Sequence, residues 1–270
     1  MDTQFSTTST DLKAKITKHI EELAQATDAA RVSEGMLRYL DTYAKFYQYS
    51  AFNVWLILMA KPEASFVAGF KKWLTMGRFV RKGESGIAIL APIFSTIVNE
   101  DGKEEQRLAG FKTVYVFDVS QTEGKPLPEP PNWKSPEKNA ELQYKLIRFA
   151  DSKGIVVQIK PIGREIQGVS MGGKIVVDPG AGFKTYVHEV AHELLHHSEN
   201  ILSDRTTREL EAESVAYAVA KHFGLDGLSS PNYNALHGAT SEMIMNCLER
   251  IRNAATEIIH ALDTETRNAQ

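Results

Sequence analysis

The stretch HEVAH, residues 188 to 192, has the residue types and the spacing of a catalytic zinc site. In a helix, His188 and His192 lie four residues apart on one face, so both imidazoles can reach the same ion. Glu189 lies beside them and can take a proton from water in a hydrolytic reaction. Val187, which precedes this stretch, and Val190, which lies within it, are apolar, which indicates that this helix lies in a core.

A catalytic zinc site needs a third protein ligand and an open position. His196, four residues beyond His192, is one candidate for that ligand. The longer motif H-E-x-x-H-x-x-G-x-x-H is excluded, because Leu195 and Ser198 stand where it requires Gly and His. His196 and His197 are also well placed to cap the C-terminal end of the helix, where cations suit the helix dipole. We expect this capping role for both.

The next predicted helix, TTRELEAESVAYAVAKHF, offers three carboxylates as metal ligands. Glu209 and Glu213 lie four residues apart and share a face, whereas Glu211 points about 160° away. We expect Glu209 to bind the metal and Glu213 to lie behind it, orienting a ligand histidine. Glu211 is the main rival to Glu209. Candidates for stabilising an oxyanion come later in the chain: Tyr217, Tyr233 and His237.

The elements that must position these residues indicate an α+β fold with two domains. A proline-rich linker at 126–136 separates a domain at 1–125 from a domain at 137–270. In the first domain, helices precede two β-rich runs joined by an Asp101-Gly102 turn, the pattern of a hairpin. In the second, a small sheet precedes the helices that carry the metal-site candidates.

The composition sets limits on function. Of 270 residues 43% are hydrophobic, and the net charge of −3 argues against a chain that is basic throughout. The single cysteine, Cys247, excludes a disulfide framework and a cysteine-rich zinc module. No apolar run is long enough for a membrane helix or a signal-peptide core, so we expect a cytoplasmic protein with no membrane partner.

A basic cluster in the first half predicts nucleic-acid binding. Its cations are interleaved with the aromatic residues Phe70, Trp73 and Phe79, a combination that suits phosphates and base faces of single-stranded DNA. The candidate DNA-binding residues are Lys71, Lys72, Trp73, Arg78, Arg81 and Lys82.

Both halves resemble the ArdC antirestriction family. YSAFNVWLI, FVAGFKKWLTMGRFVRKGESGIAILAP and VYVFDVSQTEG are similar to its N-terminal domain, a module associated with single-stranded DNA. HEVAHELLHH followed by RELEAESVAYAVA resembles its peptidase half and the zincin peptidases related to ImmA and IrrE. That resemblance implies a His-His-Glu zinc site completed within residues 209–213. It also implies an edge strand, here GGKIVVDP at residues 172–179, that pairs with an extended peptide.

These observations predict a DNA-associated zinc metallopeptidase with single-stranded DNA and a protein substrate, DNA-bound or a repressor, as partners. Zn²⁺ is the expected cofactor, and Mn²⁺, Co²⁺ or Ni²⁺ are possible substitutes. One alternative is an antirestriction protein of a mobile element that protects DNA and uses zinc only for structure. Another is a regulator that cleaves a repressor, as ImmA-like proteins do.

Overall fold

A computed structural model describes residues 7–25, 29–98, 103–127, 140–163, 166–197, 204–226, 228, 231, 233–236 and 239–267. The helices are α1 Ser9–Ala24, α2 Ala29–Lys45, α3 Ala51–Ala60, α4 Phe70–Thr75, α5 Ala140–Ser152, α6 Phe183–His196, α7 Arg205–His222 and α8 Ser241–Arg267. The strands are β1 Val67–Gly69, β2 Arg78–Val80, β3 Ile87–Val98, β4 Glu104–Asp118, β5 Thr122–Gly124, β6 Val156–Ile159, β7 Gly168–Ser170 and β8 Lys174–Val177. The predicted α+β class is confirmed.

The chain forms two compact units, one comprising Met1–Glu21 and Phe52–Pro128, the other Glu22–Ala51 and Glu129–Gln270. Residues 22–51, which fall within the predicted first domain of residues 1–125, cluster with the second unit. The reason is the packing of α2, whose Tyr43 hydroxyl lies 2.7 Å from Thr256 Oγ1 and donates to the Arg252 carbonyl at 2.9 Å. The second boundary falls within the predicted linker at 126–136, of which residues 128–136 lie outside the described residues.

The first unit is built on the predicted hairpin. Strands β3 and β4 pair antiparallel from Ile87↔Val116 to Val98↔Glu104, with an irregularity after Ile93, and β1 pairs with the other edge of β4. The predicted Asp101-Gly102 turn lies outside the described residues. The short helix α4, which the sequence analysis did not predict, follows β1 directly.

The second unit places a three-stranded sheet beside the helices of the metal-site candidates. Its strand order is β6-β8-β7, with β6 parallel and β7 antiparallel to β8. The prediction that residues 172–179 form an edge strand is wrong, because β8 has a partner on both sides. The edge next to α6 is β7, a three-residue strand. Within the described residues, no helix is both long and apolar enough to span a membrane.

Candidate metal centre

Two neighbouring helices present the predicted ligands to each other. Helix α6 buries Phe183, Val187 and Val190, which leaves the alternate face with His188 and His192 directed towards α7. Helix α7 begins after Asp204, whose carboxylate caps it by accepting from Thr207 N at 2.9 Å. This cap sets the position of the first turns of α7.

His188, His192 and Glu209 bring three ligand atoms together. The Nε2 atoms of the two histidines are 3.1 Å apart, and Glu209 Oε2 lies 3.6 Å from each of them. A tetrahedral metal with bonds of about 2.0–2.1 Å requires ligand atoms about 3.3 Å apart. The observed triangle therefore has the size that one zinc-sized ion needs.

The chemistry of these atoms also fits a cation. Burial, reinforced by the neighbouring His188, lowers the pKa of His192 to about 4, so its imidazole is neutral and can offer a lone pair at neutral pH. Two imidazole nitrogens and a carboxylate oxygen are ligand types that a zinc ion accepts. A His₂Glu set with an open fourth position is a known catalytic zinc geometry.

Glu213 lies behind His188. Its Oε2 is 3.3 Å from His188 Nδ1, while Oε1 accepts from the Lys184 ammonium. Burial favours the protonated acid, but the contacts with His188 and Lys184 outweigh it and hold the pKa of Glu213 below its ordinary value. Glu213 therefore stays ionised and can orient the His188 ring.

Glu211, the rival ligand, lies elsewhere. Its side chain is only 1% exposed; Oε2 lies 3.0 Å from His196 Nε2, and Oε1 accepts from Arg250 Nε at 2.9 Å. The structure thus separates Glu211 from the ligand triangle and leaves Glu209 as the candidate. His196 is also no simple helix cap: it is buried, and its Nδ1 lies 3.0 Å from His192 Nδ1.

Glu189, the predicted base, packs beneath strand β7. A Cβ atom added at Gly168 would lie 2.6 Å from Glu189 Oε1, so only glycine leaves room for this carboxylate. Burial raises the pKa of Glu189 to about 7, against the opposing charge of His188 and with support from the Glu209 carboxylate. A carboxyl group with this pKa is suited to accept and return protons near neutral pH.

Glu193, which the sequence analysis did not single out, ties α6 to the turn between β7 and β8. Its carboxylate accepts from Ser170 Oγ at 2.7 Å and from three backbone N–H groups, those of Met171, Gly172 and Gly173, at 3.0, 3.0 and 2.6 Å. Gly172 and Gly173 have φ values of 76° and 77°, the left-handed region that such a tight turn requires. Glu193 thereby fixes the edge strand relative to the metal-binding helix.

A cleft of about 570 Å³ opens over the ligand triangle. Strand β7 and Ile166 contribute to its lining, and Arg205 and Arg208 from the start of α7 do so as well. These two arginines were not predicted. They put positive charge at the entrance to the site, where an anion or a polarised carbonyl oxygen would benefit from it.

Of the predicted oxyanion residues, the two that the structure describes do not line this cleft. The Tyr217 hydroxyl donates to Asp41 Oδ1 at 2.7 Å, and Tyr233 is only 2% exposed. Both tyrosines are therefore committed to the core and are removed from the candidate site. His237 lies outside the described residues.

In the first unit, the structure corrects one candidate DNA contact. Trp73 is fully buried, and its indole N–H donates to the Phe117 carbonyl at 2.9 Å, so it cannot stack on a base. Aromatic faces are available at Phe70, Phe79 and Tyr115, which are 51%, 56% and 49% exposed. Tyr115 was not predicted, because nothing in its local sequence distinguishes it from a core strand residue.

The five candidate cations differ in their surroundings. Arg78 holds β5 in place through Thr122 Oγ1 at 2.8 Å and the Thr122 carbonyl at 3.1 Å. Arg81 pairs with Glu84 at 2.6 Å. Lys71, Lys72 and Lys82 are exposed. The lysines are therefore better placed than the two arginines to contact phosphates.

Comparison with known protein families gives a match in the first half of the chain. The family model described as the N-terminal domain of anti-restriction factor ArdC matches residues 7–117. Residues 7–117 are thus similar to the N-terminal domain of ArdC. The ArdC part of the resemblance seen in the sequence is thereby supported, although the matched segment does not include the metal centre.

Two further comparisons extend beyond that segment. An uncharacterized protein of Bacillus anthracis is 26% identical over 290 residues, which cover 88% of this chain and 49% of that protein. The chain therefore spans about half the length of this relative. The crystal structure of the metal-free antirestriction ArdC protein from plasmid R388 is 20% identical and covers 96% of this chain and 98% of its own, with a TM-score of 0.50. The fold of this chain is therefore ArdC-like.

An Mn(II)-bound crystal structure of the R388 ArdC protein matches with a TM-score of 0.46 at 20% identity, covering 94% of this chain and 97% of its own.

Proposed function

We propose that this chain is a DNA-associated, metal-dependent peptidase, with a zincin-like second unit and a first unit that binds single-stranded DNA. The observation that carries the peptidase proposal is the triangle of His188 Nε2, His192 Nε2 and Glu209 Oε2, whose edges are 3.1, 3.6 and 3.6 Å, with the buried Glu189 beside it. Zn²⁺ is the proposed ion, and Mn²⁺, Co²⁺ or Ni²⁺ are possible substitutes.

The proposed chemistry assigns each residue a separate task. The metal, when bound, supplies the Lewis acidity that hydrolysis of an amide requires. Glu189 takes the proton from the attacking water and returns it to the leaving amine, a double role that its pKa of about 7 suits. The exposed side of strand β7 can pair with an extended peptide, and Arg205 or Arg208 can stabilise negative charge on the substrate.

Substitution of the base tests this proposal. We expect Glu189→Gln to bind one Zn²⁺ with the affinity of the wild type and to cleave casein at least ~10² times more slowly, the usual scale for loss of a general base. The control is Glu257→Gln, which removes an exposed carboxylate that pairs with Lys153 and does not line the cleft. Unchanged casein cleavage by Glu189→Gln would contradict the proposed mechanism.

A second candidate function is protection of DNA without proteolysis. The match of residues 7–117 to the N-terminal domain of an anti-restriction factor favours it, and the descriptions of the ArdC matches name antirestriction and no peptidase. The comparisons therefore support this candidate better than peptide hydrolysis. In this case the metal centre would stabilise the second unit, and the exposed lysines of the first unit would carry the effect.

The two candidates predict different phenotypes for Glu189→Gln in a restriction assay. Cells that express the chain receive unmodified plasmid DNA in the presence of a restriction enzyme, and surviving transformants are counted. DNA protection alone predicts that Glu189→Gln keeps the effect, while the double substitution of Lys71 and Lys72 by Glu abolishes it. A peptidase that acts on a DNA-bound protein predicts loss with either variant.

A repressor-cleaving regulator is a variant of the first candidate that differs only in its substrate. Comparing the proteins of cells that express the wild type with those of cells that express Glu189→Gln would show whether the cleaved protein is a repressor. A protein whose fragments appear only with the wild type is the substrate.

A further inference from the structure

A series of hydrogen-bonded polar side chains begins at His192 Nδ1, the ring nitrogen that is not part of the proposed ligand triangle. Three contacts link it: His192 Nδ1 to His196 Nδ1 at 3.0 Å, His196 Nε2 to Glu211 Oε2 at 3.0 Å, and Arg250 Nε to Glu211 Oε1 at 2.9 Å. The side chains of His196 and Glu211 are 3% and 1% exposed. A buried network of this kind exists only when its donors and acceptors match.

The donors and acceptors that each side chain can offer set the direction of these hydrogen bonds. Arg250 can only donate, so it fixes Glu211 as the acceptor at that end. Glu211 Oε2 then accepts from His196 Nε2–H, and in the neutral imidazole of His196 this leaves Nδ1 as an acceptor. His192 then donates through Nδ1–H, and its own Nε2 keeps a free lone pair.

That lone pair faces the metal centre. His192 Nε2 is the atom that lies 3.1 Å from His188 Nε2 and 3.6 Å from Glu209 Oε2. In the other tautomer, Nε2 would carry the proton and could not bind a metal. The network selects the one tautomer of His192 that leaves its ligand atom available.

We propose that His196, Glu211 and Arg250 form a positioning relay that holds His192 in the metal-binding tautomer. The inference rests on the proposed metal centre, and it assigns His196 and Glu211 to support rather than ligation. The arrangement parallels that behind His188, where Glu213 and Lys184 supply a carboxylate and a cation. Each ligand histidine is thus linked to a carboxylate, His188 directly and His192 through His196, and each carboxylate contacts a cation.

Three substitutions interrupt the relay at successive points. His196→Phe removes the acceptor for His192, Glu211→Gln removes the charge that orients His196, and Arg250→Met removes the cation that orients Glu211. Loss of such an outer contact weakens metal affinity by about 10–100-fold. We expect a fall in this range for His196→Phe and a smaller fall in the same direction for the other two.

The measurement is the zinc dissociation constant, obtained by competition with a chromophoric chelator on the full chain. His260→Phe and Glu257→Gln are matched controls, because both residues are exposed on α8 away from the relay. Arg250→Met is the variant least able to disturb folding, since the Arg250 side chain is 48% exposed.

A second readout separates positioning from general destabilisation. Two-bond ¹H–¹⁵N correlation spectra of the metal-free protein report which ring nitrogen of each histidine carries the proton. We expect Nδ1–H on His192 and Nε2–H on His196 in the wild type, and a shift of His192 towards Nε2–H in His196→Phe. A change in folding stability alone would not move this proton.

The proposal is overturned if His192 carries its proton on Nε2 in the wild type. It is equally overturned if the three relay variants bind Zn²⁺ as tightly as the controls while Glu209→Gln binds it more weakly. Failure of the peptidase proposal would give a different result. The relay variants would still bind Zn²⁺ more weakly than the controls, but no form of the protein, including the wild type, would cleave casein.

Discussion

The substitution Gly168→Ala tests how closely strand β7 holds the proposed base. An alanine Cβ at this position would lie 2.6 Å from Glu189 Oε1, 2.7 Å from Cγ and 2.9 Å from Cδ. Ordinary contact between carbon atoms begins at about 3.5 Å. The carbon atoms of the Glu189 side chain must therefore move by roughly 0.6–0.8 Å, which its flexible end can do at little cost in stability.

A shift of this size should slow catalysis far more than it affects folding. Misplacement of a catalytic group by about 1 Å costs up to ~10² in rate. We therefore expect Gly168→Ala to lower kcat/KM on casein by about 10–100-fold. The zinc dissociation constant should stay within about twofold of the wild type, because the added methyl group touches none of the three ligands, and metal affinity responds mainly to the ligands and their direct supports.

The assay follows casein fragments in the presence of Zn²⁺, with the melting temperature and zinc affinity measured on the same preparations. Gly69→Ala is the matched control, since a Cβ there meets nothing within 4 Å and the backbone has an ordinary φ of −67°. Wild-type activity in Gly168→Ala, in a protein that Glu189→Gln inactivates, would refute the reasoning about the packed base.

Three other predictions concern separate parts of the molecule. Glu193→Ala leaves four donors at the end of β7 and in the β7–β8 turn without their carboxylate acceptor. Denaturant unfolding should show that the free energy of unfolding falls by about 1–3 kcal/mol. An unchanged unfolding midpoint would contradict the anchoring role of Glu193. Phe70→Ala should weaken binding of a single-stranded oligonucleotide by about 1–3 kcal/mol without changing the melting temperature. Trp73→Ala should instead lower the free energy of unfolding by about 3–5 kcal/mol. Weaker DNA binding by Trp73→Ala at unchanged stability would restore Trp73 as a DNA contact. Oligonucleotide affinity should fall as salt rises, with a shallower slope when Lys71 and Lys72 are both replaced by Ala, and a slope that the substitution leaves unchanged would exclude these lysines as phosphate contacts.

The metal-site ligands show how far sequence reasoning can go. The pair His188 and His192 follows from helix periodicity alone, and the same rule placed Glu209 and Glu213 on one face. Periodicity could not decide between Glu209 and Glu211, because both faces of α7 meet other elements. The decision came from Arg250, which holds Glu211 from a helix that is distant in the sequence.

The residues that were missed depend on tertiary partners. Glu193 has its role only because the turn at 171–173 reaches α6, and strand β7 is too short to give a periodic signal. The position of residues 22–51 was missed for the same reason, since the apolar face of α2 shows that a partner exists without saying which one. Trp73 illustrates the opposite error, in which an aromatic residue in a basic segment was read as a surface residue.

Anomalous diffraction from crystals of the zinc-loaded protein tests the central claim most directly. We predict a single strong zinc peak bonded to His188 Nε2, His192 Nε2 and Glu209 Oε2, with His196 Nδ1 in contact with His192 and not with the ion. A peak coordinated by His196 or Glu211, or crystals in which Zn²⁺ avoids this triangle, would contradict the account.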